Sequence, residues 1–329
     1  VDNKGNYMKY PLLTMMLATV FTVTAHAEDS YPSKPIRVLV PFSPGGVVDT
    51  STRILTNKIS ENLGWQFVVD NRPGANGFIA TGTAARATAD GYTLLSAHTG
   101  EFAVTPLLFK TRPYDFDRDF VPIIMVSDAP MLVVVNVSSP FNTLKDLIAA
   151  AKAKPGQLAF GSPGSGSVNH MATEWLIAAA GAKALHVPYK GGAPAVSAVA
   201  SNEVIFTVAG LPGVLPHLQA KRVKVLGVTT AKRSPQVPEY MSSKEAGVPG
   251  VDASIWVGLF APKGTPKAVL DQLYKAAADV LTQPAVKQRY ATVGGAETTT
   301  MGSVEFTKRI RADLERYRKV AAQIGIKQQ

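Results

Sequence analysis

The sequence predicts an α/β protein of two domains that hold a ligand in the cleft between them. Three observations predict this. The chain has 329 residues, about twice the length of a typical domain. Strand-like and helix-like runs alternate along it, the pattern of a parallel or mixed sheet covered by helices. A unit of strand, Gly/Pro/Ser turn and helix occurs at residues 36–63 and again at 158–180, so each domain offers a similar turn to a shared cleft. Apolar residues make up 46% of the chain and charged residues 18%. That composition supports a large core and excludes a mainly disordered chain.

The first segment reads as a leader. Met8 is followed by Lys9, a short apolar run over 12–25, and the small-residue site Ala25-His26-Ala27. A charged start, an apolar centre and an A-x-A site define a secretory signal, and the run is too short for a comfortable membrane span. Residues 1–27 are therefore expected to be a signal peptide cleaved after Ala27. Residues 1–7 read as an upstream extension and Met8 as the start.

The run 36–42 (IRVLVPF) reads as a buried strand. After Ser43-Pro44-Gly45-Gly46, Val47, Ile54, Leu55, Ile59 and Leu63 recur at helical spacing. A strand at 66–70, a Gly/Pro turn at 71–77, a small-residue helix at 79–89 and a strand at 92–97 complete the first βαβαβ run. The second region opens with a strand at 131–136. Its helix is opened by Thr143 with Asp146 three residues on, an acidic relative of the capping box. Strands follow at 158–161, 184–189, 204–209, 223–229 and 255–261. Pro266 starts a helix through Leu281, a position proline favours. The last helix carries an apolar stripe of Phe306, Ile310, Leu314, Tyr317, Val320 and Ile324. Its basic residues, interleaved with Asp313 and Glu315, are expected on the solvated face.

Cysteine is absent, which removes disulfides, thiolate metal sites and cysteine nucleophiles together. The four histidines beyond the leader have no short metal-ligand spacing, so no metal or cofactor is expected. There is no G-x-S-x-G nucleophile elbow. The net charge is +10, but the basic residues are scattered and have no aromatic interleaving, which argues against nucleic acid. Two turns remain as candidate anion sites. Ser43, Gly45 and Gly46 precede a helix with Asp49 in its first turn. Ser162, Ser165, Gly166 and Ser167 precede another that carries His170. Free N–H groups at a helix start favour an anion. Gly156 and Gly161 have the spacing of a P-loop, but Ser162 stands where its Lys should be. Asn169 replaces the third glycine of a dinucleotide pattern.

The motifs at 40–46 (VPFSPGG), 71–77 (NRPGANG) and 90–95 (DGYTLL) resemble the tripartite tricarboxylate transporter receptors, the Bug-type extracytoplasmic solute receptors. So do Phe160-Gly161-Ser162 with Gly166 and His170, the run 186–191 (HVPYKG), Leu211-Pro212 with Leu215-Pro216-His217, and 258–262 (GLFAP). The resemblance covers the whole mature chain. It implies a two-domain periplasmic-binding-protein-like fold of type II, with lobe one at 28–128 plus 255–329 and lobe two at 129–254. It also implies a small carboxylate held by both turns. The candidate set then comprises Phe42, Ser43, Gly45, Gly46, Asp49, Asn76, Thr99, Ser162, Ser165, Gly166, Ser167, His170, Tyr189 and Ala209. Many members carry Asp-Asn where this chain has Ala209-Gly210. Loss of that acid disfavours a ligand amine and leaves dicarboxylates and aromatic carboxylates such as terephthalate. Phe42, Phe102 and Trp256 are expected near the cleft.

The expected function is capture of such a carboxylate in the periplasm by a monomer that delivers it to the membrane permease subunits of a tripartite transporter, with no chemistry on the receptor. The alternatives are a ligand sensor feeding a signalling partner, and an exported enzyme.

Overall fold

A computed structural model describes residues 1, 2, 4, 5, 31–326 and 328. The chain divides into two units, Val1–Ser33 and Lys34–Gln329, and the fold is that of the second. The leader and its cleavage site lie outside the described residues.

The elements run β1 (Ile36–Val40), α1 (Val47–Leu63), β2 (Phe67–Asn71), α2 (Phe78–Ala85), β3 (Thr93–His98), a π-helical turn (Gly100–Val104), α3 (Thr105–Leu108), α4 (Phe116–Asp119) and β4 (Phe120–Pro130). Then come β5 (Leu132–Asn136), α5 (Leu144–Ala153), β6 (Ala159–Ser162), α6 (Val168–Ala179), β7 (Leu185–Pro188), α7 (Gly192–Ala200), β8 (Phe206–Ala209), α8 (Leu211–Gln219) and β9 (Val223–Val228). The chain closes with β10 (Ser254–Pro262), α9 (Lys267–Leu281), α10 (Pro284–Arg289), β11 (Glu297–Thr298) and α11 (Ser303–Gln323).

Among the described residues the strands form two mixed sheets. One has the order β11-β4-β10-β3-β1-β2, the other β7-β6-β8-β5-β9. In the first, β1 pairs in parallel with β2 and β3, and β10 runs antiparallel to β3 and β4. In the second, β6 pairs in parallel with β7 and β8, and β5 runs antiparallel to β8 and β9. Strands buried on both faces read as continuous apolar runs, which is why β1 and β5 were legible. The chain passes from one sheet to the other at Met131, between β4 and β5, and returns into β10.

Thr143 caps α5 as its sequence suggests. Its hydroxyl accepts from Asp146 N at 3.2 Å, and Asp146 Oδ2 accepts from Thr143 N at 2.8 Å. Two elements have no clear sequence signal. The long strand β4 contains Pro122 and lacks alternation, and α8 contains Pro212 and Pro216. Strand pairing and packing override local preference there.

Three sequence expectations change. Phe102 and Trp256 do not reach the cleft. Phe102 packs among Tyr114, Phe116, Phe120 and Phe260, and Trp256 lies in the same buried cluster. Asp313 is not on a solvated face. It is 2% exposed and accepts from Trp256 Nε1 at 2.9 Å and Arg309 Nε at 2.7 Å, the pairing that a buried carboxylate requires. Helix α11 also serves both cores. Phe306 and Ile310 join the first-sheet cluster, whereas Tyr317, Val320 and Ala321 join the cluster of Trp175 and the second sheet.

Candidate functional site

Two adjoining cavities lie between the sheets. The smaller, about 70 Å³, is lined by the first residues of four helices. Gly46, Val47 and Val48 open α1. Ser167 and Asn169 belong to the start of α6. Gly191, Gly192 and Ala193 open α7, and Gly210 and Gly213 open α8. All four N-cap residues are in this wall. Gly46, Gly191 and Gly210 offer no capping side chain. Each helix start carries unpaired N–H groups and about half a positive charge. The positive potential therefore converges on one point without a lysine or arginine. His98 is the one ionisable side chain in this wall among the described residues.

The larger cavity, about 560 Å³, shares Phe42, Ser43, His98, Pro163, Ser167 and Gly191 with the smaller. It adds the loop 73–77, Gly100, Glu101 and Thr105 from one side, and Gly164, Gly166, Tyr189 and Lys190 from the other. Its volume suits a small ligand.

The two halves meet on both sides of these cavities. Asn76 Nδ2 donates to Ser165 O at 2.8 Å. Asn76 sits at φ 52°, a left-handed conformation that asparagine tolerates better than most residues. Gly210 packs so tightly on Val47 that a Cβ at Gly210 would lie 2.1 Å from Val47 Cγ2.

Of the residues expected from sequence, Phe42, Ser43, Gly46, Asn76, Gly166, Ser167, Tyr189 and Ala209 line the cavities. Gly45, Asp49, Thr99, Ser162, Ser165 and His170 are not in their walls, and most of these brace the walls from behind. Asp49 Oδ2 accepts from Gly45 N at 2.9 Å, and Oδ1 accepts from Arg53 Nε and Asn71 Nδ2. The acid thus locks its own turn. Thr99 Oγ1 accepts from Trp256 N at 3.1 Å. Ser165 has an exposed side chain and takes part through its carbonyl.

Ser162 and His170 belong to a layer behind the second turn. Ser162 Oγ donates to Gly164 O at 3.0 Å and lies 2.6 Å from His186 Nε2. With its own proton on Gly164, the hydroxyl accepts from His186. Gly166 N donates to His170 Nδ1 at 3.1 Å, so this ring carries its proton on Nε2. The two imidazoles stack at 3.9 Å, with Phe160 against His186 at 5.0 Å. Burial, aided by the repulsion of His170, depresses His186 to about 4. His170 therefore shapes the loop and takes up Gly166 N–H, and it is not in the wall of either cavity.

Sequence reading singled out the runs that lead into α7 and α8 but left Gly191, Gly192 and Gly210 out of the candidate set, and it missed His98 and Glu101. The signal for the first was present in Gly191-Gly192 and in Gly210 before Leu211-Pro212, a glycine ahead of an apolar run with proline in its first turn. His98 ends β3 and Glu101 follows it, where side chains reach a cleft. Ala209 lines the small cavity in place of an acid. Glu101, however, brings an acid to the larger cavity from a different element.

The family model "Tripartite tricarboxylate transporter family receptor" matches residues 51–326. The chain belongs to this receptor family. The family is one of solute-binding receptors, not enzymes. Protein BugT of Bordetella pertussis is 34% identical over 318 residues, 96% of this chain and 97% of that protein. Two solved structures share the fold closely. R. palustris Rpa4515 with adipate has a TM-score of 0.87 at 34% identity, over 91% of this chain and all (100%) of that one. The periplasmic binding protein BugD has a TM-score of 0.84 at 32% identity, over 91% and 100%. The receptor therefore has the two-sheet periplasmic-binding-protein architecture expected from its motifs. No helix among its described residues is long and apolar enough to cross a membrane.

Proposed function

We propose that this receptor captures a small organic carboxylate in the periplasm and delivers it to the membrane permease of a tripartite transporter. The observation that carries the reading is the convergence of four helix starts on one small cavity. Their amides suit a carboxylate, and the larger cavity beside them accommodates the rest of the molecule. Ser43 and Ser167 offer hydroxyls at the junction. Ser167 Oγ accepts from His170 N at 3.2 Å and keeps its proton for a ligand. The adipate named with the similar receptor supports a small organic acid, and Phe42, tilted against His98 with ring centroids 4.6 Å apart, suits an aromatic one equally.

In this reading lobe one is 28–128 plus 255–329, lobe two is 129–254, and the chain is a monomer exported by a leader cleaved after Ala27. The ligand bridges the lobes, so it binds the closed form better than the open one. Calorimetry and thermal shift over aliphatic and aromatic mono- and diacids test this. A ligand at 100 times its Kd stabilises by about 2.7 kcal/mol and is recovered unchanged. Absence of any stabilising acid overturns the reading.

A further inference from the structure

Glu101 is 1% exposed and lies in the wall of the larger cavity. It stands in the first turn of the π-helical segment after β3. Its Oε2 is committed: it accepts from His98 N at 2.8 Å and lies 2.8 Å from His98 Nδ1. Gly100 N donates to the same Nδ1 at 3.0 Å. Oε1 points the other way, toward Gly77. A Cβ on Gly77 would come within 2.9 Å of Oε1. Gly77 has φ 84°, so glycine serves the backbone there and also leaves room for Oε1 beside the cavity wall that both residues line. The contacts with His98 account for Oε2 and give no reason for Oε1 to turn toward Gly77.

From this geometry we infer that Glu101 selects the far end of the ligand, and that this end is a hydrogen-bond donor, a hydroxyl or an ammonium, in place of a second ionised carboxylate. The inference rests on the carboxylate reading above, with the near carboxylate in the small cavity. A buried carboxylate oxygen left without a donor costs binding, and one faced by another carboxylate costs more. Lys190 lines the same cavity but is exposed to solvent, where its attraction for a distal anion is screened. The acid missing at position 209 is therefore supplied from β3's end, at the opposite part of the site.

Two ligand series matched in size test this by calorimetry at pH 7. One is hexanoate, 6-hydroxyhexanoate, 6-aminohexanoate and adipate. The other is 4-methylbenzoate, 4-hydroxybenzoate, 4-(aminomethyl)benzoate and terephthalate. In at least one series the hydroxy or amino acid is expected to bind about 10-fold or more tighter than both the methyl-ended acid and the diacid. Glu101→Gln, of the same shape, is expected to reduce binding of the amino acid about 10-fold and to strengthen binding of the diacid. A wild-type preference for the diacid overturns the inference, and so does an unchanged ranking in Glu101→Gln. The wild-type ranking decides even if that variant fails to fold. If no acid of either series binds, the carboxylate reading itself falls and takes this inference with it.

Discussion

At the scale of single residues, the second turn separates two serines that look alike in sequence. Ser167 lines both cavities and caps α6, accepting from His170 N. Ser167→Ala is expected to weaken carboxylate binding about 10-fold or more, since bonds to charged groups contribute roughly 1.5–3 kcal/mol. It should also cost about 1 kcal/mol of stability through the lost cap, read by urea denaturation. Ser165→Ala should bind like wild type, because the exposed hydroxyl is unused and the carbonyl remains. The histidine layer behind this turn gives a pH dependence. His186 is held near 4 against its ordinary 6.5. Below pH 6.5 the unfolded chain takes up a proton that the folded chain refuses until about pH 4, so stability falls as pH drops through that window. A melting series from pH 7 to 4 should show the fall, and His186→Gln should flatten it.

At the scale of elements, the site is a meeting of helix starts, and glycine caps let them approach. Gly46 is at φ −80° and a Cβ there meets only Ser43 O, at 3.6 Å. Gly46→Val should therefore fold and fill the cavity, abolishing measurable binding. Gly210 also has an ordinary extended backbone, φ −76°, but its Cβ would run into Val47. Valine is stiff at χ1 and has little room to turn aside. Gly210→Ala should hold α8 off α1 and weaken binding at least 10-fold while the melting temperature of the free protein changes little. Equal affinities in wild type and Gly210→Ala would show that this approach is not needed for binding. Both measurements are made by calorimetry, with circular dichroism to confirm the fold.

At the scale of the whole molecule, two sheets are joined at Met131 and by the segment before β10, and α11 lies across both cores. The bond from Asn76 Nδ2 to Ser165 O spans the mouth of the larger cavity. Asn76→Gly keeps the left-handed backbone and removes the amide. Loss of one bond of about 1 kcal/mol should reduce affinity about 5-fold, and the ligand-induced contraction seen by small-angle scattering should shrink. An unchanged affinity would mean that the bond forms incidentally on closing.

Much of this was legible in the chain itself. The runs 36–42 and 131–136, the Thr143/Asp146 cap, the two Gly/Ser turns and the ordered family motifs determined the α/β class, most of the elements, the family and eight residues of the cavity walls. These are local signals: a buried strand must be apolar along its length, and a helix must satisfy its first amides. What lay beyond reach depended on residues distant in sequence. Only the sheet orders bring Gly46, Ser167, Gly191 and Gly210 to one point, because each glycine reads locally as a turn. Only packing takes Trp256 and Phe102 out of the cleft, buries Asp313 beneath Arg309, and turns Ser162 and His170 from ligand candidates into braces. The same packing makes Glu101, one polar residue in the run 98–105, a wall of the site. Burial and convergence are properties of three-dimensional neighbours, and sequence spacing carries them only within a single element.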